Sequence, residues 1–192
     1  MTDRKSVINL IERDYNVSRE TISKLEIYAE CLIEWQSKFN LIGKSTINSI
    51  WHRHILDSIQ LVSIIPEDFQ SLMDIGTGAG LPGFILAIYY NQIGKDIYLV
   101  DSNKKKCSFL DHVATRCDVD VKIYAERLQD LAVKDSFKVD VITARAFASI
   151  DNIMSLSRPY AHKKTKYLLQ KGVNAKSELT NAKISSKLRV EF

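Results

Sequence analysis

Two carboxylates and a run of alternating glycines are the residues of this chain best suited to chemistry. The glycines lie in Asp74-Ile75-Gly76-Thr77-Gly78-Ala79-Gly80-Leu81-Pro82-Gly83, between an apolar run, Leu72 to Ile75, and a second one, Pro82 to Tyr90. Glycine at such a turn lets the backbone adopt angles closed to other residues and lets a ligand approach the main chain, while the helix that follows begins with free N–H groups. The spacing narrows the ligand. A loop for a nicotinamide dinucleotide would have its third glycine where Leu81 stands, whereas here glycines recur at 76, 78 and 80. A sulfonium methyl donor has no pyrophosphate to cradle, and its ammonium group can be met by the carboxylate of Asp74 or by backbone carbonyls. The pattern points to S-adenosylmethionine. Asp101, 27 residues beyond Asp74, ends the next apolar run, where such folds have an acid that holds both hydroxyls of a ribose. It could also cap the helix starting near Lys104.

Methyl transfer from a sulfonium is a direct displacement, so the protein must align nucleophile, methyl carbon and sulfur and keep water out. No catalytic triad is required. An acceptor such as the ring nitrogen at position seven of guanine has a free lone pair and no proton to lose, so it needs no general base. The strand ends carry no further carboxylate pair and no Cys-His couple, but they do carry cations, Arg145 after the fourth strand and Lys171 after the fifth. Either could hold the carbonyl oxygen of guanine beside the reacting nitrogen, or order the loops around the cofactor. The competing role for Arg145 is a structural ion pair. His54 and Asp57 are candidates for lining the mouth of the pocket, and His52 reads as a hydrogen-bonded helix end. No histidine or cysteine falls at metal-ligand spacing.

These residues need a scaffold, and the periodicity supplies one. Apolar residues at Ile22, Leu25, Ala29, Leu32 and Phe39 recur at helical spacing, with Ser18 as the N-cap, and a second helical stretch runs from Ile47 to Ile64 before Pro66. Residues 1–66 therefore read as a helical cap, and residues 67–192 as the domain that carries the glycine loop. Beyond Pro66, short apolar runs alternate with helical segments. Strands are expected at Leu72 to Ile75, Ile97 to Val100, Val119 to Tyr124, Val139 to Thr143 and Tyr167 to Leu169. Helices are expected at Pro82 to Tyr90, Lys104 to Cys117 and Ile150 to Tyr160. Such alternation implies a parallel sheet covered by helices on both faces, an α/β fold.

Composition agrees with a single core plus an appendage in 192 residues, 45% hydrophobic and 26% charged. The longest apolar run is too short to span a bilayer, and the three cysteines, Cys31, Cys107 and Cys117, are neither paired nor dense enough for a disulfide framework. The expectation is a cytoplasmic protein with no membrane partner, no metal and packed thiols. The formal net charge of +4 is unevenly spread, since residues 151–192 hold nine basic and three acidic side chains. A basic segment beside a neutral domain suits a phosphate backbone, although a solvated lysine face would look the same.

Four segments together carry a resemblance to a known family: Arg53-His54-Ile55-Leu56-Asp57-Ser58, the loop from Gly76 to Gly83, Val100-Asp101-Ser102, and Ala144-Arg145-Ala146-Phe147-Ala148-Ser149. In this order they closely resemble the bacterial ribosomal RNA small-subunit methyltransferase G family, and the Leu-Pro-Gly ending of the loop is its most specific element. The resemblance implies a Rossmann-like class I S-adenosylmethionine-dependent methyltransferase fold with a helical N-terminal extension. It also implies formation of 7-methylguanine in a decoding-region loop of 16S ribosomal RNA, in the small subunit or an assembly intermediate, by what we expect to be a monomer. Carried over by position, the cofactor contacts fall on Gly76, Leu81, Asp101, Leu128, Gln129 and Arg145, beside Asp74 and Gly78 from the loop itself. Gln129 replaces the family's usual acid, and a carboxamide can still meet an adenine edge. Family members continue after the fifth strand through a helix and a final strand pair. This chain stops at Arg189-Val190-Glu191-Phe192, so either it is a short member or its sheet lacks the last strand, and the basic segment with Lys163, Lys164 and Lys166 would then take over part of the RNA contact. The cofactor motifs alone would equally serve a methyltransferase acting on another RNA, a protein or a small molecule, or a non-catalytic RNA-binding module of the same fold.

Overall fold

The computed structural model describes residues 2–135, 137–173 and 175–182. Five strands form one wholly parallel sheet in the order β3-β2-β1-β4-β5: β1 Ser71–Ile75, β2 Asp96–Val100, β3 Lys122–Tyr124, β4 Val139–Arg145 and β5 Ala161–Gln170. Helices α4 (Gly83–Tyr90), α5 (Lys104–Cys117), α6 (Leu128–Lys134) and α7 (Ile150–Ser157) join successive strands. The order reverses at β1, so the crevice for a ligand opens beyond the C-terminal ends of β1 and β4.

Because strand side chains alternate between faces, β1 divides the core in two. Leu72 joins Leu99, Phe84 of α4 and Phe109 of α5 on one face. Met73 and Ile75 join Ile142, Leu131 of α6 and Ile153 of α7 on the other. Helix α4 is apolar all round because it is covered on both sides, by the sheet and by α2 (Arg19–Gln36). Tyr28 of α2 stacks on Phe84 with ring centroids 5.7 Å apart, and Ser18 caps this helix by accepting from the Thr21 N–H. Helix α1, Thr2–Tyr15, falls within the expected helical cap, although no separate helix is read from its own periodicity; Val7 and Ile11 bury its inner face.

The expected second N-terminal helix is broken. Lys44–Ser49 and Gln60–Ser63 are tight 3₁₀ turns, Trp51–Leu56 is a π-helical turn and α3, Asp57–Ile59, a single α turn. The expected strand at Val119 starts only at Lys122. The helix from Ile150 gives way to a 3₁₀ turn at Arg158–Tyr160, and β5 is ten residues long rather than three. Of the basic segment, Lys163, Lys164 and Lys166 lie in the first half of β5, where the register against β4 slips between Val139 and Val141. The short C-terminus bears on residues 183–192, which lie outside the described residues. Among the described residues no helix is long and apolar enough to cross a membrane, and no cluster of His, Cys, Asp and Glu could hold a metal. The three cysteines are free and buried, and burial raises each thiol pKa.

Candidate active site

The glycine loop follows β1 and is folded back by main-chain bonds from Gly76 and Thr77 to the Val100 carbonyl, 2.8 and 3.1 Å. Gly76, Gly78 and Gly80 all have positive φ, at 66°, 60° and 86°, which explains why glycine recurs at alternate positions. The loop is braced from behind as well. The buried Tyr28 hydroxyl donates to the Ala79 carbonyl at 2.9 Å, so α2 fixes the middle of the turn from 51 residues away.

Asp74 lies on the α4 face of β1, fully buried beneath the loop. It accepts from the Gly83 N–H at 3.0 Å and from the Thr143 hydroxyl at 2.7 Å. These bonds tie strand, loop and helix start together and turn the carboxylate away from the crevice. Burial pushes its carboxyl up from 3.8 to about 6 despite those bonds. The folded protein thus holds this proton more tightly than the unfolded chain, so the group's contribution to stability is full below about pH 4 and is lost as pH rises through 6. Urea unfolding of wild type and Asp74→Asn between pH 4 and 7 should show wild type losing on the order of 2–3 kcal/mol that the variant keeps constant; parallel curves would remove Asp74 as the titrating group.

Asp101 sits at the end of β2 and reaches across to the loop. One carboxylate oxygen accepts from the Gly78 N–H at 2.9 Å and the other from the Asn103 N–H at 2.8 Å. Each oxygen keeps a second acceptor site. The cap of α5 is Asn103, whose side chain accepts from the Lys105 and Lys106 amides, so capping does not occupy Asp101. Leu128 and Gln129 open α6 beyond β3. The Leu128 side chain is buried on the α6 and α7 face of the sheet and that of Leu81 on the α4 and α5 face, so their main chains alone can face a ligand; Gln129 is exposed.

The two strand-end cations are both engaged. Arg145 donates to the Arg53 carbonyl at 2.9 Å and pairs with Asp57 at 3.3 Å, which joins β4 to the π-helical turn. Lys171 pairs with Glu178 at 2.9 Å and donates to the Ala148 carbonyl. Its ammonium therefore tethers the loop before α7. His54 is buried with Nε2 2.8 Å from the Thr46 hydroxyl; burial and the neighbouring Arg145 and Arg53 lower its pKa to about 4, so the ring is neutral at pH 7. His52 is exposed.

Four residues near the site were given no role at the level of sequence. Phe147 lies against Gly76 so closely that a Cβ there would stand 2.1 Å from its ring, and Ala146 is held at φ 49° to deliver it. Gln170 ends β5 in register with Arg145 and donates to the Asp57 carbonyl at 2.7 Å. Lys106 brings its ammonium to within 3.7 Å of where a Gly78 Cβ would stand, and Lys105 lies 5.5 Å over the Phe39 ring. A strand-ending glutamine and a motif phenylalanine carry no signal of their own in one sequence. The lysine run did, and its position on the first turn of α5 could have been read from the strand–helix order.

With this geometry in view, similarity to known proteins becomes informative. The structure resembles that of a putative caffeoyl-CoA O-methyltransferase from Staphylococcus aureus, with TM-score 0.55 and 13% identity over 100% of this chain and 81% of that one. It also resembles a precorrin-6y C5,15-methyltransferase from Geobacter metallireducens, with TM-score 0.51 and 14% identity over 73% and 72%. Both establish the methyltransferase fold alone. In sequence, the chain is 38% identical to the ribosomal RNA small subunit methyltransferase G of Paramagnetospirillum magneticum over 85% of this chain and 77% of that protein. It is 37% identical to the protein of the same name from Orientia tsutsugamushi over 95% and 88%. The model of the family rRNA small subunit methyltransferase G matches residues 21–191, and the chain belongs to that family.

Proposed function

We propose that this protein transfers the methyl group of S-adenosylmethionine to the ring nitrogen at position seven of a guanine in 16S ribosomal RNA. The observation that carries the reading is the meeting of the glycine loop, Asp101 and Arg145 at one end of a parallel sheet, at its switch point. The residues present fit the cofactor. A Cβ at Gly78 would meet nothing nearer than 3.7 Å, which leaves an open cradle, and the Asp101 oxygens each retain an acceptor site for a ribose hydroxyl. Gly76 and Leu81 would contribute main chain. Leu128 and Gln129 would face the adenine from the start of α6.

When bound, the cofactor supplies an electrophilic methyl group on a sulfonium. Everything else falls to the chain. Asp101 fixes the ribose, Asp74 holds the loop in shape, and Arg145 directs an N–H toward the guanine carbonyl oxygen. Lys171 keeps the loop after β4 in place. The acceptor nitrogen carries no proton, so no residue need act as a base. The substrate fits a small subunit or an assembly intermediate, met in the cytoplasm by a monomer. The exposed Lys104 and Lys105, beside the loop, are better situated for its phosphates than Lys163 and Lys164, which stand about 20 Å down β5 from Gln170.

Labelled methyl transferred from S-adenosylmethionine to small-subunit particles from cells lacking the protein should appear in 7-methylguanosine by mass spectrometry. Label in protein or in another nucleoside would discard the substrate. Arg145→Met should lower kcat/KM about 100-fold with cofactor affinity little changed, and a wild-type rate would remove Arg145 from the site. Charge reversal of Lys104 and Lys105 should flatten the dependence of log affinity on log salt by about 2. The same slope loss from reversing Lys163, Lys164 and Lys166 instead would move the RNA contact to the far end of β5.

A further inference from the structure

At the ends of β4 and β5, the buried Oε1 of Gln170 has no partner, and the buried Nη1 of Arg145 makes no hydrogen bond, only its ion pair with Asp57 at 3.3 Å. The two residues are register partners on adjacent parallel strands, so their side chains leave the sheet on the same face. Both then close on one residue. Arg145 pairs with the Asp57 carboxylate, and Gln170 donates from Nε2 to the Asp57 carbonyl at 2.7 Å. That carbonyl fixes the orientation of the amide, because a flipped group would set oxygen against oxygen. The outcome is an acceptor without a partner, Oε1 of Gln170, beside a donor held only by a 3.3 Å ion pair, Nη1 of Arg145, both out of contact with water. A buried polar atom left so costs about 1–3 kcal/mol, which a ligand with the complementary pair would recover.

We infer that Gln170 is a specificity-determining residue that accepts a hydrogen bond from the N1–H of the target guanine while Arg145 donates to the adjacent carbonyl oxygen. This rests on the proposed function, which supplies guanine as the acceptor base. The chemistry selects among bases: guanine presents an acceptor, O6, directly beside a donor, N1–H. Adenine presents the reverse, an amine beside a bare nitrogen, so both contacts with Arg145 and Gln170 would become repulsive. The N1–H lies on the pairing edge, so the base must be unpaired to be read in this way. Neither protein atom touches water as the side chains stand, and the base edge gains them by displacing what covers them.

The test uses the full chain and small-subunit particles carrying, at the position methylated by wild type, guanosine, adenosine or N1-methylguanosine. Wild type should transfer methyl to guanosine and fall about 10- to 100-fold with N1-methylguanosine. Gln170→Met should lower kcat/KM on guanosine by a similar factor, leave S-adenosylmethionine affinity by calorimetry unchanged, and narrow the guanosine-to-adenosine ratio. Undiminished transfer to N1-methylguanosine would overturn the inference, whether or not the variant folds. So would a Gln170→Met protein that loses guanosine and adenosine transfer equally. Absence of 7-methylguanosine with unmodified particles and wild type would instead overturn the proposed function itself.

Discussion

Asp101→Ala is expected to weaken S-adenosylmethionine binding at least about 100-fold and to abolish detectable methyl transfer. A hydrogen bond to an ionised group contributes about 1.5–3 kcal/mol, and this carboxylate has one free acceptor site on each oxygen for the two ribose hydroxyls. The loss would extend to the loop, since the Gly78 N–H takes its partner from the same side chain. Asp101→Asn is the informative companion: it keeps one acceptor and should retain part of the affinity. Calorimetric titration with cofactor reads both. Affinity within about threefold of wild type in the alanine variant would show that Asp101 serves the loop alone.

Gly76→Val should be as damaging, for a different reason. The residue stands at φ 66°, where a non-glycine residue costs about 1–2 kcal/mol and a β-branched one more, and its Cβ would meet the Phe147 ring at 2.1 Å. Cofactor binding should disappear and the thermal midpoint should fall by several degrees. The two causes separate in a cycle with Gly76→Ala and Phe147→Ala. Removing the ring should restore part of the stability lost in Gly76→Ala, leaving the backbone strain. Additive effects would mean that Phe147 moves aside freely and that the contact is incidental.

The part of this architecture set by short-range rules was legible before the structure. The glycine spacing located the turn, helix α5 was bounded at Lys104 and Cys117 as expected, and Ser18 caps α2 through Thr21. What escaped depends on partners distant in sequence. The helical pattern from Ile47 to Ile64 is real, yet the π-helical turn and α3 within it are met by Arg145 and Gln170 from strand ends roughly ninety to a hundred and ten residues on. Strand β5 was underestimated because its first half is polar and exposed, without the apolar alternation that marks a buried strand. The types and positions of Asp74 and Lys171 were visible, but not their directions. For Asp74 the direction was within reach, since two-residue alternation from Leu72 turns it toward α4. For Lys171 it depended on Glu178 of α8, Ala175–Asn181.

The irregular start of β5 has a consequence unrelated to catalysis. Among the described residues β5 is an outer strand of the sheet, and an open strand offers its main chain to any other extended segment it meets. Here the first half is out of step with β4, and His162, Lys163, Lys164 and Lys166 stand exposed along it. A second chain adding at that margin would have to match a shifted backbone and bring its own residues against three ammonium groups. Charge along an out-of-step outer strand therefore disfavours intermolecular sheet growth at this side of the fold.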